Sequence, residues 1–374
     1  MSDNSAISWT DATWNPLLGC TKVSPGCDGC YAIQNARIRA GNPNPKIATA
    51  YAGLVERDAG GRLEWTGAVR LLPERLEKPL RWRKPRRIFP NSQADLFHDQ
   101  VDVEFIATVF AVMALTSRHT YQLPTKRHAR MRAVLSDPEF RERVGWHMDR
   151  ISETWNLPKG CIDGWPMGGD AGVLWPLPNV HIGVSVENQQ WADIRIPALL
   201  DTPAAVRWVS AEPLLGPVSL HPNWLHGKPC WGEAYPEPTS PAGILVRDPE
   251  TGPRLDWVVC GGESGPGARP MHPDWARGLR DQCLDSGAAF HFKQWGEWAP
   301  PEPSAGHSIF DYVTDDDRVQ IVDTVGRRRG RPWPGWKVQD GTRFAAPLRR
   351  YGKKAAGRLL DGREWNEYPA AVTG

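Results

Sequence analysis

The chain repeats one local pattern. A short run of alternating or wholly apolar residues ends in a polar or glycine-rich turn, and a segment with helical spacing follows. RRIFPNS (86–92) leads into QADLFHD, after which Asp102 caps VEFIATVFAVMALTS, where Phe105, Ile106, Val109, Phe110 and Met113 share one helical face. HTYQLPTKR (119–127) leads into HARMRAVL. VHIGVSVEN (180–188) leads into QQWADIRIPALL, which Pro197 is expected to interrupt or kink. VRWVSAEPLLG (206–216) comes next. LDWVVCGGESG (255–265) precedes HPDWARGLRDQCLDSG, with Pro273 suited to a first helical turn and Gly287 to a C-terminal cap. AAFHFKQWG (288–296) closes the series.

Alternating strands and helices predict a parallel sheet with crossover helices. Six or seven such units, one of them before residue 20, predict an α/β fold, a full or partial barrel of the TIM type. Chemistry in such folds collects at the carboxyl ends of the strands. The polar turns fall there: Asn91-Ser92, Thr125-Lys126-Arg127, Ser185 to Asn188, Ser210-Ala211-Glu212, Gly261 to Ser264 and Lys293-Gln294. Caps and ordinary turns account for many of these. They account poorly for Lys126, Glu187, Glu212, Glu263 and Lys293, because a charge just beyond a buried strand demands a partner.

Composition refines this picture in three ways. No apolar run reaches membrane-spanning length and the first residues lack a signal-peptide pattern, so a cytoplasmic protein without membrane contact is expected. The net charge of +2 does not mark a nucleic-acid binder, yet RWRKPRR (81–87) and GRRRGRP (326–332) are dense basic clusters, either solvated surface or phosphate contacts. Many of the 19 tryptophans lie in Pro/Gly-rich stretches (145–178, 222–254, 298–345), which predicts long ordered loops pinned by aromatic anchors. The expected organisation is a barrel over 1–300 with insertions at about 145–178 and 222–254, and a C-terminal extension over 301–374 packed on it.

Three of the seven cysteines, Cys20, Cys27 and Cys30, crowd into NPLLGCTKVSPGCDGCYA (15–32) with the spacing C-x6-C-x2-C. A structural zinc site wants four protein ligands, usually as two close pairs, and only Cys27/Cys30 has that spacing. His98 or a distant cysteine could complete it. Cys260 and Cys283 fit a core, whereas Cys161 and Cys230 lie in insertions and could be exposed. Three thiolates can also hold three irons of a [4Fe–4S] cluster and leave the fourth open. Ligand number and softness favour the cluster over zinc and over unrelated thiols.

ISWTDATWNPLLGCTKVSPGCDGCYA, KPRRIFPNSQADLFHD, HIGVSVENQ, VRWVSAEPLLGP, DWVVCGGESGPGARPMHPDW, FHFKQWGEW and the terminal AAGRLLDGREWNEYP together resemble the phage Gp37/Gp68 family, which in turn resembles the radical S-adenosylmethionine (SAM) superfamily with a likeness to spore photoproduct lyase. The resemblance implies a partial (β/α) barrel, a three-cysteine [4Fe–4S] cluster, SAM at the open iron, an electron donor such as flavodoxin or ferredoxin, and a 5′-deoxyadenosyl radical that abstracts hydrogen from substrate. The superfamily's usual spacing is C-x3-C-x2-C, so this loop carries three additional residues, and its aromatic residue follows the last cysteine (Tyr31) instead of preceding it. By position in the strand order the resemblance assigns Asn91, Ser92 and Asp95 to the SAM amino group, Ser185 and Glu187 to the ribose, Glu212 to the adenine or methionyl part, Glu263 and Lys293 to substrate, and Lys126 to a carboxylate or phosphate. Gly261-Gly262-Glu263 matches the superfamily's SAM-binding string but follows a late strand, so that role is not carried over. A nucleotide or nucleic acid is the expected substrate. Alternatives are a small molecule or peptide, and a cluster- or zinc-stabilised nucleic-acid-binding protein without turnover.

Overall fold

A computed structural model describes residues 3–163, 172–227, 252–301, 318–325, 327 and 345–370. Seven parallel strands form one sheet in sequential order: β1 (Ala12–Trp14), β2 (Arg87–Pro90), β3 (Thr120–Thr125), β4 (Val180–Ser185), β5 (Val206–Ala211), β6 (Trp257–Gly261) and β7 (Ala289–Gln294). The crossovers carry helices α1 (Tyr31–Ala40), α2 (Val103–Ala114), α3 (His128–Leu135), α4 (Pro138–Thr154), α5 (Gln189–Leu200) and α6 (Pro273–Ser286).

One side chain demonstrates that the sheet curls. The Trp9 ring lies 4.8 Å from Phe89 on β2 and 5.4 Å from Trp208 on β5. Strands three places apart in a flat sheet stand roughly 14 Å apart. The sheet is therefore a half-barrel whose edges, β1 and β7, do not pair with each other.

Alternation along each strand sorts the residues. Outward positions such as Ile88, Leu123, Ile182, Val209, Val258 and Phe290 pack with the helices in the main core. Inward positions Phe89, Trp208, Trp257 and Val259 close around Trp9 in a separate cluster. Gly183 on β4 is also inward, and a Cβ there would stand 2.5 Å from the Trp208 ring, so the bulky indole requires its neighbour to be glycine.

Among the helices, α2 is apolar nearly all round because it is covered by the sheet and by α4, and Asp102 caps it by accepting from Phe105 N at 2.6 Å. Helix α5 continues through Pro197. Residues 145–154, read from the sequence as the start of an insertion, complete the amphipathic helix α4, which buries Val144, His147, Met148 and Ile151. Most of 222–254 and of GRRRGRP lies outside the described residues. Beyond the sheet, β8 (Trp298–Ala299), β9 (Val319–Asp323) and β10 (Ala345–Arg350) form a small antiparallel sheet. Residues 365–367 then run along the free edge of β7, with Phe292 N donating to Trp365 O at 3.0 Å and Glu367 N to Phe290 O at 3.2 Å. That covering satisfies backbone groups an edge strand would otherwise expose. No described helix is long and apolar enough to cross a membrane.

Candidate active site at the carboxyl mouth

The period of two that turns Phe89, Trp208 and Val259 inward also governs the residues that follow each strand. Asn91, Ser185, Glu187, Ser210 and Glu263 are all buried at the carboxyl end of the half-barrel. The ring of charges forms pairs. Glu187 is fully buried and accepts from Arg195 Nη1 at 3.0 Å and from Ser24 Oγ at 2.7 Å, with Lys126 Nζ 3.7 Å away. Glu212 meets Lys293 Nζ at 2.8 Å, Trp9 Nε1 at 3.3 Å and Ser210 Oγ at 3.4 Å. Glu263 receives a forked bond from Arg269, at 2.8 Å from Nε and 2.6 Å from Nη2.

The cysteine loop sits directly on these carboxylates. A Cβ at Gly26 would come within 2.4 Å of Glu187 Oε1, and one at Gly29 within 2.4 Å of Glu263 Oε1. Only glycine allows so close an approach. Arg269 fastens the loop from the other side, donating to Pro25 O at 2.8 Å and lying 3.5 Å from Asp28. Cys30 stands at the N-cap of α1, and Tyr31 of that helix donates its hydroxyl to Ser92 O at 2.7 Å. Loop, first helix and second strand end are thereby tied together.

The remaining expected residues divide by whether their polar atoms are occupied. Asp95 accepts from Phe97 N at 3.0 Å, Thr125 Oγ1 at 2.7 Å and Lys126 N at 3.0 Å, so its carboxylate pins the end of β3 to the turn after β2. Ser92 Oγ is engaged with Asn15 at 3.2 Å. Ser185 is buried beside Glu187, and its carbonyl accepts from Arg195 Nη1 at 2.7 Å. Asn91 differs from all of these. It is 4% exposed, has a left-handed backbone (φ 59°), and neither its carboxamide oxygen nor its nitrogen has a hydrogen-bond partner. A buried amide left unpaired costs on the order of 1–3 kcal/mol, so Asn91 is the strand-end residue of this set whose side chain no protein group occupies.

The three thiols are free and partly exposed. Burial, then the Asp95 charge, push the Cys20 thiol up to about 12, and burial raises Cys30. The charges of Cys30 and Cys27 add to the rise at Cys20, and that of Cys27 to the rise at Cys30. Thiols held protonated in this way ionise when a cation replaces the proton. Among the described residues no three His, Cys, Asp or Glu side chains stand grouped to hold a metal ion. The donor set has the right chemistry for a soft metal centre, and binding one requires the thiols to turn toward each other. His98 is engaged at both ring nitrogens, with Thr21 Oγ1 at 3.1 Å and Gln100 N at 3.2 Å, so it is committed to the loop it underpins.

Cys161, which its place in an insertion left open to exposure, is 2% exposed and part of the core, because the insertion folds back against the sheet's helices. Cys260 and Cys283 are buried as expected, and Cys230 lies outside the described residues. In the cluster 81–87, Arg81 pairs with Glu77 at 2.5 Å, Arg87 with Asp11 at 2.7 Å, and Arg86 stacks on Trp82 at 5.1 Å. Arg127 donates to Thr21 Oγ1 at 2.5 Å, and Arg130 donates to the carbonyls of His98 and Val101. Sequence reasoning missed Trp9, Arg195 and Arg269. The one available signal was an arginine placed among the apolar positions of α5.

No curated protein and no solved structure matches this chain. A family match spans residues 4–369, so the chain belongs to the uncharacterised family described as "Protein of unknown function (DUF5131)".

Proposed function

We propose that this chain is a radical SAM enzyme, in which Cys20, Cys27 and Cys30 would hold a [4Fe–4S] cluster at the carboxyl mouth of the half-barrel. The observation that carries the reading is the seating of a three-thiol loop directly on a ring of buried, paired charges. The likeness of the motifs to the phage Gp37/Gp68 and radical SAM families belongs to this reading and supports it. When bound, the reduced cluster would supply the electron that cleaves the SAM sulfonium.

The chain's own residues orient and exclude. The unpaired Asn91 carboxamide offers two donors and an acceptor, the complement needed by the ammonium and carboxylate of an amino acid. Arg195 and Lys126 pair with Glu187 inside the barrel, placing that carboxyl group directly beneath the loop. Trp9 seals the interior below the mouth and keeps bulk water from entering through the barrel. A nucleotide or nucleic acid is the substrate class we favour, on the resemblance to a repair enzyme.

Anaerobic reconstitution with iron and sulfide tests the proposal. The expected protein is brown, binds iron, and releases 5′-deoxyadenosine from SAM under a strong reductant. Cys20→Ala, Cys27→Ala and Cys30→Ala each lose the iron, while Cys283→Ala keeps it. A colourless protein with one tightly bound zinc, or loss of iron from Cys283→Ala, overturns it.

A further inference from the structure

A second site lies beside the mouth. Between the start of the chain and the end of the sheet, the segment leading into β1, the end of β7 and residues 353–358 line an open cleft of about 600 Å³. Its lining carries four cations, Lys293, Lys353, Lys354 and Arg358, and one carboxylate, Asp11. Asp11 is already committed to Arg87 at 2.7 Å. Lys293 is shared with the mouth through Glu212, and Arg358 lies 3.7 Å from Glu364. Among the described residues Lys353 and Lys354 have no ion-pair partner. Hydroxyls of Ser5, Ser8 and Thr10 complete the wall.

The two unpaired ammoniums, Lys353 and Lys354, repel each other across this space unless an anion enters. Partial burial, then the charge of Lys293, lower the Lys353 ammonium, and the pull of Glu212 and Glu297 from outside the lining does not cancel that. The volume lies within the range of small-molecule sites and is far larger than a lone phosphate requires.

We infer that this cleft binds the phosphate of a nucleotide-sized phosphomonoester, with Lys353 and Lys354 as its charge partners and Lys293 joining it to the mouth. The substrate class is the one favoured above, and only the link to catalysis rests on that reading. Phosphate binding needs neither the cysteines nor a cluster.

The test is calorimetric titration of the protein, and of its Cys27→Ala variant, with inorganic phosphate, thymidine 5′-monophosphate, thymidine and a single-stranded oligothymidylate. The monophosphate is expected to bind both proteins, inorganic phosphate more weakly and thymidine not at all, with affinity falling as salt rises. Lys353→Gln and Lys354→Gln, both at exposed positions, are each expected to weaken the monophosphate about tenfold, and Lys353→Arg to restore most of it. Unchanged far-ultraviolet circular dichroism shows that the variants fold. The inference is overturned if the monophosphate fails to bind, if the glutamine variants bind it as tightly as the parent, or if only the oligonucleotide binds. Binding by Cys27→Ala without iron would uphold the cleft even if the cluster reading fails.

Discussion

The lower and upper halves of the barrel interior are filled by opposite means. Below, Trp9, Trp208 and Trp257 pack ring against ring, with centroids 5.0 to 6.3 Å apart and Gly183 making room. Above, from Glu212 upward, the space holds Lys126, Glu187, Arg195, Glu263, Arg269 and Lys293, nearly all in pairs. An aromatic plug gains stability from contact alone and tolerates no water. A buried charge network gains little net stability, since desolvation offsets attraction. The chain therefore draws its stability from below and gathers its buried charges above, and Trp9 belongs to both halves through its ring and its indole N–H.

Removing one member of the upper network should expose the difference most strongly. Arg195→Met leaves Glu187 buried with only the Ser24 hydroxyl and Lys126 at 3.7 Å, and should cost about 3–5 kcal/mol in urea unfolding. Adding Glu187→Gln should recover part of that loss. If Arg195→Met is nearly neutral, the upper half is not an electrostatic unit. A smaller effect is expected below: Gly183→Ala drives a methyl into the Trp208 ring, for a cost of about 1–3 kcal/mol, and the near-ultraviolet tryptophan signal should change with it. A plug that absorbs the methyl without cost would mean looser packing than the contacts indicate.

An effect that shows only in acid concerns β7, beside the aromatic plug. His291 is fully buried on β7, 2.9 Å from Ser8 Oγ, and burial followed by the charges of Arg358, Lys293 and Arg87 hold it down to about 3 from the usual 6.5. Its unfolded form takes up a proton as pH falls below about 6.5, while the folded form stays neutral until about 3. His291 therefore supports the fold fully above that window and loses its contribution steadily as pH drops through it. His291→Gln should flatten the acid side of the stability profile between those limits. An unchanged slope would mean that the imidazole is protonated within the fold.

Strand and helix placement was legible because alternation and caps are local. The Asp102 cap, the continuous face of α2 and the polar strand ends could all be read from short windows of sequence. The ring of Lys126, Glu187, Glu212, Glu263 and Lys293 was legible for the same reason, since a charge two residues after an inward position is itself inward. What those charges touch was not legible. Arg195 reaches Glu187 within one crossover, but Arg269 reaches the cysteine loop across 244 residues, and Trp9 meets strands far along the chain. Asp95 accepts donors from its own turn and from the end of the next strand, a clasp that no short window of sequence announces. Cys161 could have been exposed, since its neighbours are prolines and glycines, yet the insertion folds inward.

The strap along β7 carries a consequence for assembly. Tyr368 donates to Ser8 O at 3.1 Å and stacks on Trp257 at 5.5 Å, so the segment that leads Trp9 into the barrel is held by residues synthesised some 360 positions later. During translation the segment before β1 waits longest for the residue that fastens it, and the thiol loop waits in turn for Arg269. The order in which this chain is made and the order in which it can lock are opposed.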